Sequence, residues 1–213
     1  MGDHLAEIKD SIIGGRHKEI EEVVKEAIAD STDLNKIINE AMIGAMDVVG
    51  ERFAHNEIFV PEMLASAVTM KKGLNLIKPL LKEGDAESRG TIVMGTVKGD
   101  IHDIGKNIVI MMLEGAGFHV IDLGVDLPLE ELIGHVEKIQ PEILGLSALL
   151  TNTMPELKNV IETLGSKGLR THVKVMVGGA PVDASFAERI GADGYGADAT
   201  EAVKLARRFM SGK

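Results

Sequence analysis

The sequence contains no cysteine among its 213 residues, so disulfide bonds and thiolate metal sites are excluded. It also has no tryptophan and a single tyrosine, so the protein itself absorbs little in the near ultraviolet. The apolar runs, such as residues 143–150, are short. A membrane-spanning helix needs about 20 apolar residues. The sequence therefore predicts no membrane-spanning helix.

Positive charge is in deficit, with 23 Lys and Arg against 33 Asp and Glu and a formal net charge of -10 at pH 7. Nucleic acids and anionic membrane surfaces both attract clusters of Lys and Arg, so this balance argues against either partner. The start of the chain, residues 1–4, lacks the basic and then apolar pattern of a signal peptide. We therefore expect a cytoplasmic protein that binds neither nucleic acid nor membranes.

The first 88 residues have the periodicity of amphipathic helices. Apolar residues recur at helical spacing in four segments, which begin near residues 3, 17, 34 and 61. Ser31–Asp33 supplies N-cap candidates for the third helix, and Pro61 suits the first turn of the fourth. Four short helices with short connections predict a small four-helix bundle. The polar, glycine-containing segment 83–90 is predicted to be a linker.

Residues 89–213 follow a different pattern, in which apolar strands alternate with helices. Helical patterns lie near 104–116, 129–139, 155–165, 183–190 and 199–211. The candidate strands are Thr91–Val97, His119–Leu123, Ile143–Ser147, Val173–Val177 and Gly194–Tyr195. This alternation predicts a Rossmann/flavodoxin-like α/β domain, with a five-stranded parallel sheet and helices on both faces. The predicted domains are therefore 1–88 and 89–213.

A ligand site is expected where the strand order reverses, beyond the carboxyl ends of the strands. If the order is 2-1-3-4-5, the loops after the first, third and fourth strands line one crevice. The first loop contains Asp100, His102 and Gly105, and the second is rich in hydroxyl groups from Ser147 to Thr153. The third contains a glycine pair at 178–179, which lets a bulky group approach the backbone. The crevice therefore combines an imidazole, several hydroxyls and a small-residue wall.

Each of these features has an ordinary explanation when taken alone. A single loop histidine is usually solvated, Ser147 and Thr151 could cap the following helix, and a glycine pair is common in turns. Other chemistries are less well supported, because neither a Gly-x-Gly-x-x-Gly fingerprint nor a phosphate-binding loop follows the first strand. Catalytic zinc would need three protein ligands, and the crevice offers one histidine. A metal with one protein ligand suggests that a macrocycle supplies the others.

Residues 99–107, Gly-Asp-Ile-His-Asp-Ile-Gly-Lys-Asn, resemble the signature loop of a known family. This family comprises the methionine-synthase-type cobalamin-binding modules and the corrinoid proteins of methylamine and methanol methyltransferase systems. Ser147-x-Leu149 and the glycine pair at 178–179 resemble its second and third motifs. Arg52-Phe53 and residues 59–63, Phe-Val-Pro-Glu-Met, resemble the segment that caps the upper face of the corrin. The resemblance covers nearly the whole chain and implies that residues 1–88 form a helical cap domain.

The resemblance implies a role for each matching residue. His102 coordinates cobalt in place of the cofactor's own base, so the cobalamin or related corrinoid is bound base-off. Asp100 accepts a hydrogen bond from the other imidazole nitrogen, and Thr153 continues this relay at a position where the family has serine. Further implied cofactor contacts are Gly99, Asp103, Ile104, Gly105, Ser147, Leu149, Thr151, Gly178, Gly179, Phe53, Val60 and Met63.

The resemblance assigns different contacts to the two faces of the corrin. Ser147 and Thr151 line a slot for the displaced base, and the glycine pair leaves room for the nucleotide tail. Phe53 and Val60 cover the face that carries the methyl group. Segment 83–90 is then a hinge that allows the cap to move aside.

The resemblance further implies that the chain is a methyl carrier and not a complete enzyme. It would accept a methyl group on cobalt(I) from a substrate:corrinoid methyltransferase. It would deliver the group from methyl-cobalt(III) to a second, corrinoid:acceptor methyltransferase, whose acceptor is tetrahydrofolate or a thiol. A reductive activase is a third expected partner. The chain itself has no room for a substrate-activating barrel, which needs about 250 residues.

Three alternatives remain at this point. The cobalamin-binding subunit of a coenzyme-dependent isomerase shares the Asp-x-His-x-x-Gly loop but does not usually carry the helical cap. A cobalamin-binding regulator or light sensor would need a DNA-binding or docking surface, and the charge offers no basic one. A receiver- or flavodoxin-like module, in which His102 is an ordinary loop residue, is the third.

Overall fold

The computed structural model describes residues 4–80 and 88–211. The chain divides into two compact units, one formed by Met1–Ser88 with Glu114–Gly117 and the other by Arg89–Leu113 with Phe118–Lys213. Residues 83–87 of the predicted linker lie outside the described residues. Within the described ranges, every helix is too short or too polar to span a lipid bilayer.

The first unit is helical, as predicted. Its elements are α1 (His4–Ile13), α2 (Ile20–Ala29), α3 (Leu34–Lys36), a π-helical stretch (Ile37–Ile43), α4 (Gly44–Ala54), α5 (Val60–Ile77) and a short 3-10 turn (Lys78–Leu80). The third predicted helix is therefore a composite of α3, the π-helical stretch and α4, which follow one another without a break. The apolar stripes are buried, among them Ile8, Ile12, Ile20, Val24, Ile37, Met42, Val49, Met63 and Ile77.

Local signals in the sequence begin and end these helices. The Asp33 carboxylate accepts a hydrogen bond from the Lys36 amide at 2.9 Å, which caps the start of α3. Glu62 accepts one from the Phe59 amide at 3.1 Å, the reach-back typical of a capping box, just before α5. Gly15 follows α1 with a φ of +63°, a left-handed conformation that ends the helix.

The second unit is the α/β domain that the alternating pattern predicts. Its strands are β1 (Thr91–Thr96), β2 (His119–Asp122), β3 (Ile143–Ser147), β4 (Lys174–Gly178) and β5 (Gly194–Tyr195). Its helices are α6 (Ile104–Gly115), α7 (Leu129–Ile139), α8 (Met154–Ser166), α9 (Ala184–Ile190) and α10 (Ala199–Ser211). All neighbouring strands are parallel, in the order β2-β1-β3-β4-β5. The predicted fold class is confirmed, and the strand order is the one assumed when the site was placed.

The sheet is buried between helices because right-handed crossovers place α7, α8 and α9 opposite α6 and α10. The core beside α7–α9 is aliphatic and includes Val93, Leu144, Val175, Leu132, Val160 and Ile190. On the other face, α10 packs against β5, where a Cβ atom added to Gly194 would lie 2.6 Å from a methyl of Leu205. The chain turns back between β1 and β3, so the loops that follow these strands meet at the carboxyl edge of the sheet.

Candidate functional site

The loop between β1 and α6 is fixed at both of its ends. The Asp100 amide donates to the carbonyl of Val97 at 3.2 Å, which makes a tight turn directly after β1. The hydroxyl of Thr96, the buried last residue of β1, donates to the carbonyl of His102 at 3.1 Å. The Asp103 carboxylate accepts a hydrogen bond from the side-chain amide of Asn107 at 3.1 Å, which ties the loop to the first turn of α6. His102 therefore projects from a loop with a defined backbone.

Asp100 is fully buried and accepts hydrogen bonds from two different loops. Its Oδ1 accepts from the His102 amide at 3.1 Å and lies 2.7 Å from Nδ1 of His102. Its Oδ2 accepts from the amides of Leu149 at 2.6 Å and Leu150 at 3.3 Å and from the hydroxyl of Thr153 at 2.8 Å. Burial by itself would raise the pKa of the Asp100 carboxyl, but these hydrogen bonds outweigh it and hold the pKa well below its ordinary value.

The ionised state of Asp100 determines which nitrogen of His102 is available. A carboxylate only accepts hydrogen bonds, so Nδ1 of His102 carries the proton in this contact. Nε2 of the neutral ring then keeps its lone pair, and the side chain is 47% exposed. An imidazole whose second nitrogen is held by a carboxylate is the usual arrangement of a metal-ligating histidine.

His102 would be the lone protein ligand of such a metal. Among the described residues, the only group of three His, Asp or Glu side chains with closely spaced ligand atoms is His4, Glu7 and Glu26 of the helical unit, and it excludes His102. A metal at Nε2 of His102 therefore has to bring its other ligands with it. This donor set fits a macrocyclic cofactor, which supplies ring nitrogens of its own.

The surface around His102 is apolar. Ile101 and Ile104 flank it in the same loop and are 72% and 77% exposed. Leu149 and Leu150, whose amides bind Asp100, also expose about a third of their side chains. Among the described residues, these are half of the large apolar side chains that are exposed. Exposed aliphatic groups around a ligand-competent imidazole suit a large, flat, apolar ligand.

The loop after β3 contributes to the site mainly through its backbone and Thr153. Thr153 is buried and its hydroxyl donates to Asp100, and Leu149 contributes its amide. Ser147 pairs with Thr96 in the sheet and accepts the Val97 amide at its carbonyl. Thr151 is exposed beyond the end of β3.

The predicted glycines suit their positions for different structural reasons. Gly99 has a φ of +79° in the signature loop, and a Cβ atom at Gly105 would meet open space. Gly179 has a φ of +126°, and a Cβ atom there would lie 1.8 Å from the carbonyl oxygen of Ala148. At Gly178, the nearest atom to such a Cβ would be the carbonyl oxygen of Gly196 at 3.1 Å. The glycine pair thus allows close packing between neighbouring backbones, a reason that the sequence analysis did not consider.

The helical unit holds the remaining predicted contacts. Phe53 near the end of α4 is half-buried, and Val60 at the start of α5 is exposed. Phe59, between them in the sequence, is the most exposed apolar side chain of this segment. Met63 is fully buried, so its side chain offers no accessible surface to a ligand in this structure.

Several residues around the site escaped the sequence analysis. Lys106 is almost entirely buried, and its ammonium group forms an ion pair with Asp122 at the end of β2. Asp126, in the loop between β2 and α7, accepts a hydrogen bond from the Gly99 amide at 2.7 Å. A signal for both carboxylates was present, because Asp122 lies near the end of the predicted second strand and Asp126 lies in the loop directly after it. The expected crevice included only the loops after the first, third and fourth strands.

Comparison with known proteins identifies the family. Residues 90–204 match the B12 binding domain, and residues 5–78 match a second B12 binding domain family. A corrinoid protein of Desulfitobacterium hafniense strain Y51 is 41% identical over 209 residues, which are 97% of each chain. The chain belongs to the family of B12-binding corrinoid proteins.

Further members of this family match over similar lengths. Trimethylamine corrinoid protein 1 of Methanosarcina acetivorans is 41% identical over 208 residues, 97% of this chain and 96% of the relative. A solved structure, the methanol:cobalamin methyltransferase complex MtaBC of Methanosarcina barkeri, contains a chain that is 32% identical with a TM-score of 0.90. The match covers 100% of this chain and 81% of that chain.

Proposed function

We propose that this chain binds a corrinoid, whose cobalt Nε2 of His102 would hold, and carries methyl groups between methyltransferases. The observation that supports it best is the pairing of a half-exposed His102 with the buried, ionised Asp100. The family membership and the apolar surroundings of His102 support the same proposal.

When bound, the corrinoid supplies a cobalt atom that can hold a methyl group. Asp100 orients the imidazole and keeps its proton on Nδ1, which makes Nε2 a better metal ligand. Thr153 and the amides of Leu149 and Leu150 keep Asp100 ionised and in place.

The apolar side chains around the imidazole exclude water from the ligand. Ile101, Ile104, Leu149 and Leu150 provide that surface beside His102. For the other face of the cofactor, we propose Phe53 and Val60 of the helical unit, with the more exposed Phe59 beside them. Water exclusion protects reduced cobalt, which is otherwise oxidised readily.

The partners follow from the chemistry of a carrier. A substrate:corrinoid methyltransferase methylates the cobalt, and a second methyltransferase moves the methyl group to an acceptor such as tetrahydrofolate or a thiol. A reductive activase restores cobalt that has become oxidised. The structure of the methanol:cobalamin methyltransferase complex supports the first of these partnerships, because its match covers this entire chain.

Loading with hydroxocobalamin tests the binding proposal. The wild type should retain about one corrin per chain after gel filtration, as expected for a single site. His102→Ala should show the visible spectrum of a corrinoid that has lost its histidine ligand. The proposal fails if the wild type retains no corrin, or if the two proteins have the same spectrum.

A transfer assay tests the carrier proposal separately. The reduced holoprotein is methylated with methyl iodide and then mixed with a thiol and a corrinoid:thiol methyltransferase. A carrier should transfer its methyl group faster than free methylcobalamin does at the same concentration. A rate no higher than that of the free cofactor would contradict the carrier role and leave the binding proposal intact.

A further inference from the structure

The loop between β2 and α7, residues 123–128, runs alongside the end of β1 and the start of the His102 loop. The Thr96 amide donates to the carbonyl of Gly124 at 3.0 Å, and the Leu127 amide donates to the carbonyl of Thr96 at 3.1 Å. Val97 and Leu127 form an isolated parallel bridge. The β2–α7 loop therefore extends the sheet pairing beyond β1 on the side away from β3.

Asp126 continues this pairing with two hydrogen bonds, one that it accepts and one that it donates. Its carboxylate accepts from the Gly99 amide at 2.7 Å, and its own amide donates to the carbonyl of Asp100 at 2.9 Å. Its φ of +53° is a left-handed conformation, which aspartate tolerates better than most residues that have a side chain. A strained conformation that is held on both sides points to a positional role.

Asp100 is therefore held by two loops through different groups. The β2–α7 loop holds its backbone through Asp126, and the β3–α8 loop holds its carboxylate through Leu149, Leu150 and Thr153. The carboxylate in turn sets the position of the His102 imidazole. Movement of the backbone at residues 99 and 100 would shift His102 relative to the carboxylate, because Oδ2 of Asp100 stays tied to the β3–α8 loop.

We infer that Asp126 is a positioning residue for His102: it clamps the backbone at residues 99 and 100 so that the imidazole is held ready for the metal. The clamp itself is a property of the protein without cofactor, whereas its effect on metal ligation rests on the proposed function. The two can therefore be measured separately.

Two variants of Asp126 change the clamp by different amounts. Asp126→Gly removes the carboxylate and accommodates the positive φ, and Asp126→Asn keeps an oxygen acceptor without the charge. Asp193 provides a matched control at the opposite, amino-terminal edge of the sheet. Its carboxylate accepts from the Val175 amide at 2.8 Å, and its amide donates to the Val175 carbonyl at 2.8 Å. The control variants are Asp193→Gly and Asp193→Asn.

The first readout is amide hydrogen exchange in the protein without cofactor. Gly99 should be protected in the wild type, less in Asp126→Asn, and about tenfold less in Asp126→Gly, because the acceptor is weakened and then lost. The Asp193 variants should leave Gly99 unchanged. Equal protection of Gly99 in the wild type and both Asp126 variants would overturn the clamp, whatever the cofactor does.

The second readout is the spectrum and affinity of the hydroxocobalamin complex. The spectra of the Asp126 variants should approach that of His102→Ala, slightly in Asp126→Asn and further in Asp126→Gly. The dissociation constant of Asp126→Gly should be about tenfold higher than that of the wild type, as is typical when the hydrogen-bond partner of a metal ligand is lost. The Asp193 variants should keep the wild-type spectrum even if they lower the melting temperature more. Wild-type spectra in Asp126 variants that have lost Gly99 protection would overturn the positioning role. If Asp126→Gly does not fold, Asp126→Asn decides the test by the same criteria.

Discussion

Nδ1 of His102 lies 2.7 Å from Oδ1 of Asp100, and this pair joins an exposed imidazole to a fully buried carboxylate. The carboxylate is stabilised from a second loop by two amides and a hydroxyl. The pair therefore fixes both the tautomer and the orientation of His102 before any ligand arrives.

Replacing Asp100 by asparagine should place an NH2 group, itself a donor, where one of the two carboxylate oxygens now accepts hydrogen bonds. If the Asn NH2 group faces Leu149 and Thr153, it meets their donors, and if it faces Nδ1, the imidazole must adopt the other tautomer. We expect Asp100→Asn to lower the free energy of unfolding by about 1–3 kcal/mol. It should retain corrin with a changed cobalt midpoint potential, measured by spectroelectrochemistry. Asp193→Asn is the control, and an unchanged potential in Asp100→Asn would contradict the role of the pair.

The low pKa of Asp100 should appear in the acid stability of the protein without cofactor. Its folded-state pKa lies below the unfolded value of about 4, so the unfolded state binds more protons between the two values. Its stabilising contribution is fully present above pH 4 and is lost as the pH falls toward the folded pKa. Urea unfolding at a series of pH values should show that the stability difference between wild type and Asp100→Asn shrinks below about pH 4. A difference that stays constant down to the acid limit would contradict this assignment.

Substitutions of Thr153 should separate its hydroxyl from its methyl group. Thr153→Val removes the donor to Asp100 and should cost about 1–2 kcal/mol in urea unfolding. Thr153→Ser removes a buried methyl and should cost about 1 kcal/mol. The two variants should differ in the corrin spectrum, where Thr153→Ser keeps the wild-type form and Thr153→Val moves toward that of His102→Ala. Identical spectra would exclude Thr153 from the relay.

The ion pair between Lys106 and Asp122 should respond unequally to the loss of either partner. The Lys106 side chain is 1% exposed, whereas that of Asp122 is 38% exposed. Asp122→Asn leaves a buried ammonium group without its anion and should cost about 2–3 kcal/mol. Lys106→Met leaves a carboxylate that water can reach, so it should cost less in the same thermal or urea unfolding experiment. The reverse order would show that the ammonium group is satisfied elsewhere.

The exposed side chain of Phe59 should matter for the reduced cofactor. We expect Phe59→Ala to speed the oxidation of the reduced holoprotein in air, because the variant has a smaller apolar surface with which to exclude water. The visible spectrum follows the oxidation. Val68→Ala is a matched control, since Val68 is also an exposed apolar residue and lies in α5. Equal oxidation rates in the wild type and in Phe59→Ala would remove Phe59 from the shielding surface.

The fold was predictable because its signals are periodic. Runs such as residues 143–147 alternate with helical stripes, and β3 and β5 have the predicted bounds. β1 and β2 each end one residue earlier than predicted, and β4 is shifted by one residue toward the C-terminus. The π-helical stretch Ile37–Ile43 was not predicted, because seven residues at a slightly longer period have nearly the same apolar pattern as an α-helix.

The site was only partly predictable, since a sequence motif indicates residue types and not their packing. Asp100, His102 and Thr153 were predicted and lie together. Asp126 was not predicted, because it lies in the loop after β2, which was not among the three loops expected to line the crevice. The close approach of Gly179 to Ala148 was likewise inaccessible, because it depends on the distance between two loops.

Electron paramagnetic resonance of the cobalt(II) holoprotein tests the central claim most directly, because the splitting reports the nitrogen bound along the axis. Cofactor with ordinary nitrogen is bound to protein labelled with 15N-histidine. We predict that the axial splitting changes from a triplet in unlabelled protein to a doublet in labelled protein, and that this doublet is absent from labelled His102→Ala. A triplet that persists in the labelled wild type would show that the cofactor's own base stays on cobalt, which would contradict ligation by His102.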